Sequence, residues 1–393
     1  MKWVSTLRET KSCEEAIDQM AQHCSEELRD GIDLAFLFVS PYFRQDYDKL
    51  SERVYDQLRC RVLIGCSAGG VIGGGYEIES RPAISVLAAS LPDVEIKPFH
   101  LNQSDLPGLD ASPKKWQDCF KSEGIERPQF VLLADPFTLD AEMALQGLDY
   151  AYPDSVKVGG LASGAGAPGQ TGLFVNRNYY RSGMVGVELS GKLEIDTIVS
   201  QGCRPIGKPL SITRCEKNLL IEIDRKKPLD VIQDLYHDLP EMDQNLMRHS
   251  LFLGIAMTPF KEHLERGDFL IRNLMGIDYQ TGALAVGSLL REGQTIQFHL
   301  RDRETSAEDL NWHLTQYQME REAGSACGAL LFSCMGRGVN LYGEPDFDTR
   351  LFRNLFGDVP LGGFFCNGEI GAVGQTTFLH GYTSCMGIFR STP

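Results

Sequence analysis

The stretch "GCSAGGVIGGG", residues 65–75, places six glycines in eleven positions directly after the apolar run Val62-Leu63-Ile64. The run reads as a buried strand. The glycines after it point either to dihedrals that glycine alone tolerates or to a close approach of backbone. A nucleophile elbow, a phosphate cradle and a turn serving another purpose are the three readings. Gly65-Cys66-Ser67-Ala68-Gly69 matches G-x-S-x-G, but an elbow leads into a helix, and "YEIESRPAISVL" (76–87) reads as extended. Gly164 to Gly169 matches G-x-G-x-x-G, yet "QTGLFVNRNYYRSG" (170–183) does not read as the helix a dinucleotide fingerprint opens. Glu188, at the acidic position, falls inside an expected strand. No G-x-x-x-x-G-K-[ST] occurs, which excludes a P-loop.

Outward from this stretch the same order recurs. "DLAFLFVSP" (33–41) reads as a strand, residues 46–58 as a helix, and the glycine run as the end of a second strand. "QFVLLADPF" (129–137), a helix from Thr138 to Tyr150, and "VKVGGLASGAGAPGQTG" (156–172) repeat it. "GALLFSCMGRG" (328–338), a helix capped by Asp346 and stopped by Gly357, and "VPLGGFFCNGEIGAVG" (359–374) repeat it again. First strand and glycine run lie about 30 residues apart each time, the length of a βαβ unit. We read three internal copies of one strand–helix–strand design. The fold class expected is α/β: two domains of layered mixed sheets, built from repeated strand–helix–strand units with glycine-rich strand-end turns.

Residues 1–32 are expected to hold an amphipathic helix opened by a capping box at Ser12 and Glu15. A first domain over 33–227 and a second over 228–393 meet at the charged, turn-forming "DRKKP" (224–228). Beyond it, Pro228 opens a helix, four strands come next, and a helix capped by Ser306 to Asp309 runs to near Gly324.

Charge narrows the partners. Lys and Arg number 38 against 53 Asp and Glu, a net of −15, the wrong field for nucleic acid or an anionic membrane. The 11 cysteines contain no C-x-x-C. No signal peptide and no run of the roughly 18 apolar residues a membrane span needs is present. The expectation is a cytoplasmic protein with free thiols, no metal and no cofactor.

Strand ends in layered α/β folds carry loops that build ligand sites, and glycines there expose backbone N–H groups. Cys66, Ser67, Gly69 and Gly70, with Gly160 and Ser163, are the candidates from the first two turns. Cys334, Arg337, Gly338, Asn367, Glu369 and His380 come from the third. An arginine between two glycines can grip an anion bidentately. Arg337 is therefore expected to hold a ligand carboxylate, with Glu369 orienting it or receiving a ligand amine. An Arg337–Glu369 pair that only fixes two loops is the structural alternative.

"CMGRG", "PLGGFFCNGEIG" and "HGYTS" together resemble the C-terminal half of FIST proteins (F-box and intracellular signal transduction), and "GCSAGGVI" and "VGGLASG" resemble the N-terminal half. The resemblance runs from Asp33 to Phe389. It implies a sensory module that binds small ligands, amino acids among them, and passes the signal to a protein partner. The roughly 30 residues before the first strand are too few for an F-box, so the expectation is a stand-alone sensor. Two other readings stay open. One is an enzyme with Cys334 as nucleophile and His380 as base; the other is an interaction module with no small ligand.

Overall fold

The computed structural model describes residues 1–120, 127–258, 261, 264–265, 267–321 and 325–392. It is a mixed α/β structure of two compact units. One unites Met1–Val199 with Trp312–Pro393, and the other is Ser200–Asn311.

Among the described residues the first unit holds three six-stranded sheets. Each is centred on a parallel pair: Leu34–Val39 with Val62–Ser67, Gln129–Ala134 with Lys157–Leu161, and Ala326–Cys334 with Leu361–Cys366. Period-two alternation sorts their side chains. Phe36, Phe38 and Ile64 join Val131 and Leu133 of the second sheet and Leu330 and Phe332 of the third in one shared core. The intervening Ala35, Leu37 and Val39 face outward against Met20 and Val54 of the helices Cys13–Glu27 and Tyr47–Leu58. Phe130, Leu132 and Ala134 do the same against Trp116 and Leu148.

The glycine strands share one packing requirement. In each parallel pair one glycine of the second strand faces a leucine of the first: Gly65 and Leu37, Gly159 and Leu132, Gly363 and Leu331. A Cβ there would lie 2.1, 1.9 and 1.9 Å from the leucine carbonyl oxygen. Only glycine lets the two backbones come this close.

Beyond each glycine strand the chain leaves its sheet. The hairpin Gly70–Gly73 and Tyr76–Glu79 pairs with Leu361–Cys366 of the third sheet. The hairpin Leu173–Val175 and Asn178–Tyr180 pairs with Val62–Ser67 of the first. The hairpin Glu369–Val373 and Thr376–His380 pairs with Lys157–Leu161 of the second. Every sheet thus ends in a hairpin from another strand–helix–strand segment, and the three glycine strand ends are drawn together.

The second unit is a closed six-stranded barrel around Ile212, Leu220, Leu253, Ile296 and Phe298. Its first strands, Arg204–Glu216 and Leu219–Ile223, pair with Thr295–Leu300 and Leu284–Val286. The expected break at 224–228 therefore falls within this compact unit, at the turn between Leu219–Ile223 and the helix Pro228–Asp238.

Several local expectations are corrected. The strand Lys2–Glu9 precedes the first helix and pairs with Ala83–Ser90. Ser12 makes no side-chain cap; its N–H donates to Thr10 Oγ1 at 2.9 Å instead. The long helix is Arg303–Glu320, and its opening is capped by Asp302, whose Oδ1 accepts the Thr305 N–H at 2.7 Å. Ser306 donates to Gly202 O and Asp309 accepts from Ser200 and Gly202. The end expected near Gly324 lies outside the described residues.

Candidate functional site

The strand ends meet through a dense backbone network. The Ser163 N–H donates to Ser67 O at 3.1 Å, and Ser67 Oγ donates to Ser163 O at 3.2 Å. Ser163 Oγ accepts the Gly69 N–H at 2.8 Å and donates to Phe365 O. Ser67 Oγ accepts the Gly172 N–H at 3.1 Å. From the third strand, Asn367 donates its backbone N–H to Leu161 O and its Nδ2 to Ala162 O, both at 3.1 Å. Ser67 and Ser163 are buried and tie the loops to one another, whereas Asn367 is exposed.

Cys66 is fully buried, and burial pushes its thiol well above the usual range. Gly70 packs on the Phe365 ring and Gly160 on Cys366 Sγ, positions where a Cβ would collide. Half-exposed Gly69 lies under the Met335 thioether, and Met335, 37% exposed, donates its N–H to Cys366 O at 3.0 Å. The structure therefore brings together Cys66, Ser67, Gly69, Gly160, Ser163 and Asn367, with Met335 and Gly164 beside them.

Arg337 lies in a different cluster, and its partner is not Glu369. It is fully buried and grips Asp348 bidentately, Nε to Oδ2 at 2.9 Å and Nη2 to Oδ1 at 3.0 Å, while Nη2 also donates to the Tyr342 hydroxyl. Burial opposes its charge, and Asp348 and Tyr342 together outweigh that cost, so the guanidinium stays charged. Asp348 sits on the helix Phe347–Phe356, one residue in from its start, which places its carboxylate eleven residues from Arg337. The sequence offered two glycine-flanked loops as partners and gave no sign that this helix would turn its first residues back onto them.

The hairpin Gly70–Glu79 completes this cluster. Glu77 Oε1 accepts the Thr349 N–H at 2.8 Å, and Glu79 Oε1 accepts the Val339 N–H at 2.9 Å. Two carboxyl side chains from the first third of the chain thus accept from two helix starts in the last. Asp346, expected to be the cap, has φ of 58° and accepts the Glu77 N–H instead. Burial, and secondly the charge of Asp348, raises the Glu77 carboxyl to about 8. Gly338, with φ of 58°, leaves room for the Glu79 carboxylate, which would lie 2.2 Å from a Cβ.

Glu369 is fully buried, and its Oε2 accepts the Thr383 N–H at 3.1 Å. His380, opposite it across the hairpin, is engaged by Nε2 with Gly371 O at 3.1 Å. Cys334 adjoins this group through its N–H, which donates to Thr383 O at 3.0 Å.

Sequence reasoning missed Arg44. The 3-10 segment Pro41–Asp46 brings its guanidinium onto the second glycine turn, where Nη2 donates to Gly164 O at 2.7 Å. Its Nε is buried with no hydrogen-bond partner among the described residues. The signal available was position only: the residue comes just after the first strand of the first copy, as loops at ligand-bearing strand ends do. A surface groove of about 460 Å³, lined by Trp3, His23, Thr349 and Arg353 among others, includes none of the residues expected from the sequence. Among the described residues no group of His, Cys, Asp and Glu could hold a metal ion, and no helix is long and apolar enough to cross a membrane.

Comparison with known proteins bears on the whole chain. An uncharacterised protein of Mycobacterium tuberculosis is 34% identical over 95% of this chain and 96% of its own length. An uncharacterised protein of Mycobacterium bovis is 32% identical over 95% of each. An F-box/LRR-repeat protein of Arabidopsis thaliana is 24% identical over 65% of this chain and 56% of that protein. A chorismatase crystal structure, 9% identical, aligns over 99% of this chain and 98% of that one with a TM-score of 0.31, too loose a likeness to carry an argument. The FIST N domain matches residues 33–226 and the FIST C domain residues 228–372, so the chain belongs to the FIST family, whose domains are associated with signal transduction.

Proposed function

We propose that this protein is a cytoplasmic sensor that binds an amino acid or small carboxylate where its three glycine strand ends converge, and that a protein partner carries the output. The observation behind this reading is the convergence itself. Turns from three separate parts of the chain are locked by Ser67, Ser163 and Asn367, while Gly69, Gly164, Met335 and Asn367 keep exposed surface and Arg44 reaches Gly164 O. A rigid floor of backbone groups next to one cation suits a small anionic ligand.

The geometry moves one role. Arg337 has its charge matched by buried Asp348, so it shapes the turn. The carboxylate contact falls to Arg44, whose guanidinium, among the described residues, donates to the neutral acceptors Gly164 O and Gln170 Oε1 and can meet a carboxylate without breaking an ion pair. All 11 cysteines are free, which agrees with a reducing compartment.

A thermal-shift panel of amino acids and small carboxylates, read alongside native mass spectrometry, tests the reading. A ligand at 100 times its Kd adds about 2.7 kcal/mol of stability, and Arg44→Met should abolish that gain, beyond the small drop in the ligand-free midpoint that losing the Gly164 contact brings. A gain that survives Arg44→Met would remove the carboxylate assignment. An empty protein stabilised by nothing in the panel would favour the interaction-module reading and call for a pull-down.

A further inference from the structure

Cys334 and Cys366 end the two parallel strands of the third sheet and are direct register partners. Register partners on neighbouring strands send their side chains to the same face. The strands of a sheet lie about 4.8 Å apart, inside the roughly 4.4–6.8 Å that a disulfide spans between Cα atoms. Both residues are the last of their strands. Cys334 is the accessible member: it is half-buried and next to Met335, which is 37% exposed. Cys366 is buried.

The surroundings favour attack at Cys334. Its Sγ accepts the Gly336 N–H at 3.4 Å, and it lies within electrostatic reach of the Arg337 guanidinium. The backbone donor stabilises a thiolate, whereas Arg337 adds little because Asp348 already matches its charge. Cys334 also acts electrostatically on Cys366, as a close neighbour must. Cys66 and Cys385 are other neighbours of Cys366, but both are fully buried, and neither is in register with Cys334.

We propose that Cys334 and Cys366 form a redox-active dithiol that accepts electrophilic sulfur from low-molecular-weight disulfides of the glutathione type. The Cys334 thiolate attacks the disulfide, forming a mixed disulfide and releasing one thiolate. The Cys366 thiol then gives up its proton and attacks the Cys334 sulfur, closing the Cys334–Cys366 bond and releasing the second thiolate. The protein loses two electrons and two protons, and the small disulfide leaves as two thiols. Burial raises the Cys366 thiol, so the second step is the slower one.

The test is incubation of the full-length protein with oxidised glutathione, then peptide mass spectrometry without reduction. Wild type should yield a peptide pair cross-linked through Cys334 and Cys366. Cys366→Ser should instead hold glutathione on Cys334 at an occupancy about tenfold above wild type, because nothing resolves it. Cys334→Ser should show neither product. The cross-link in wild type is read directly, so the proposal remains testable if a variant fails to fold. Glutathione accumulating on Cys334 equally in wild type and Cys366→Ser would overturn it. So would modification of Cys13 or Cys119 while Cys334 stays reduced.

Discussion

Arg337→Ala leaves buried Asp348 without its cation, held among the described residues by the Ser333 hydroxyl at 3.2 Å. An uncompensated buried charge costs about 3–5 kcal/mol, so the variant should lose that much stability in urea denaturation, whatever it does to ligand binding. This departs from the sequence reading, in which Arg337 was free to serve a ligand and its loss would have spared the fold. Glu77 makes a second residue-scale prediction. Its carboxyl is raised from about 4.5 to about 8, so the folded chain holds a proton across that window that the unfolded chain releases. The stability this group contributes is complete below the lower value and is lost as pH rises through the upper. Glu77→Gln keeps an acceptor for the Thr349 N–H and does not titrate. Its stability relative to wild type should therefore rise between those two values, as read from denaturation midpoints; a constant difference would place Glu77 in its ionised form.

At the scale of elements, the glycine facing a leucine carbonyl in each parallel pair is the device that sets the sheets. Gly159→Ala would put a Cβ 1.9 Å from Leu132 O, backbone that cannot rotate away, and should cost about 3 kcal/mol. A loss below about 0.5 kcal/mol would show that the strands separate freely. The barrel has its own switch. His299 is buried with Nδ1 on Gln297 O at 3.0 Å, and burial pulls its pKa from 6.5 to about 4. The stability it contributes is present above the upper value and is lost as pH falls through the window. His299→Gln should remove that part of the acid sensitivity, measured as the melting midpoint against pH. Strands and helices of this kind were legible in the sequence because periodicity marks them: "DLAFLFVSP", "QFVLLADPF" and "GALLFSCMGRG" all contain strands at their expected places. The hairpins' destinations were not legible. A four-residue run such as Gly70–Gly73 is apolar on both faces, and nothing in it says which sheet edge it joins.

Across the molecule, the three sheets share one order of parallel pair, antiparallel flanks and borrowed hairpin, which supports our proposal that the chain is built from internal repeats. The sequence showed the glycine turns but not their meeting, because the contacts that join them run between residues as distant as Ser163 and Phe365. It also offered Arg337 and Glu369 as one site, whereas long-range partners, Asp348 and Thr383, divide them. Local spacing carries chemistry; only the borrowed hairpins decide which chemistry is assembled. The central claim is that this meeting point receives a small ligand. Hydrogen–deuterium exchange of the full chain, with and without the stabilising compound from the panel, tests it most directly. Slowed exchange is expected at residues 41–46, 66–70, 161–164, 334–336 and 366–368 together. Protection confined to the groove around Trp3 and Arg353, or to the barrel, would contradict it.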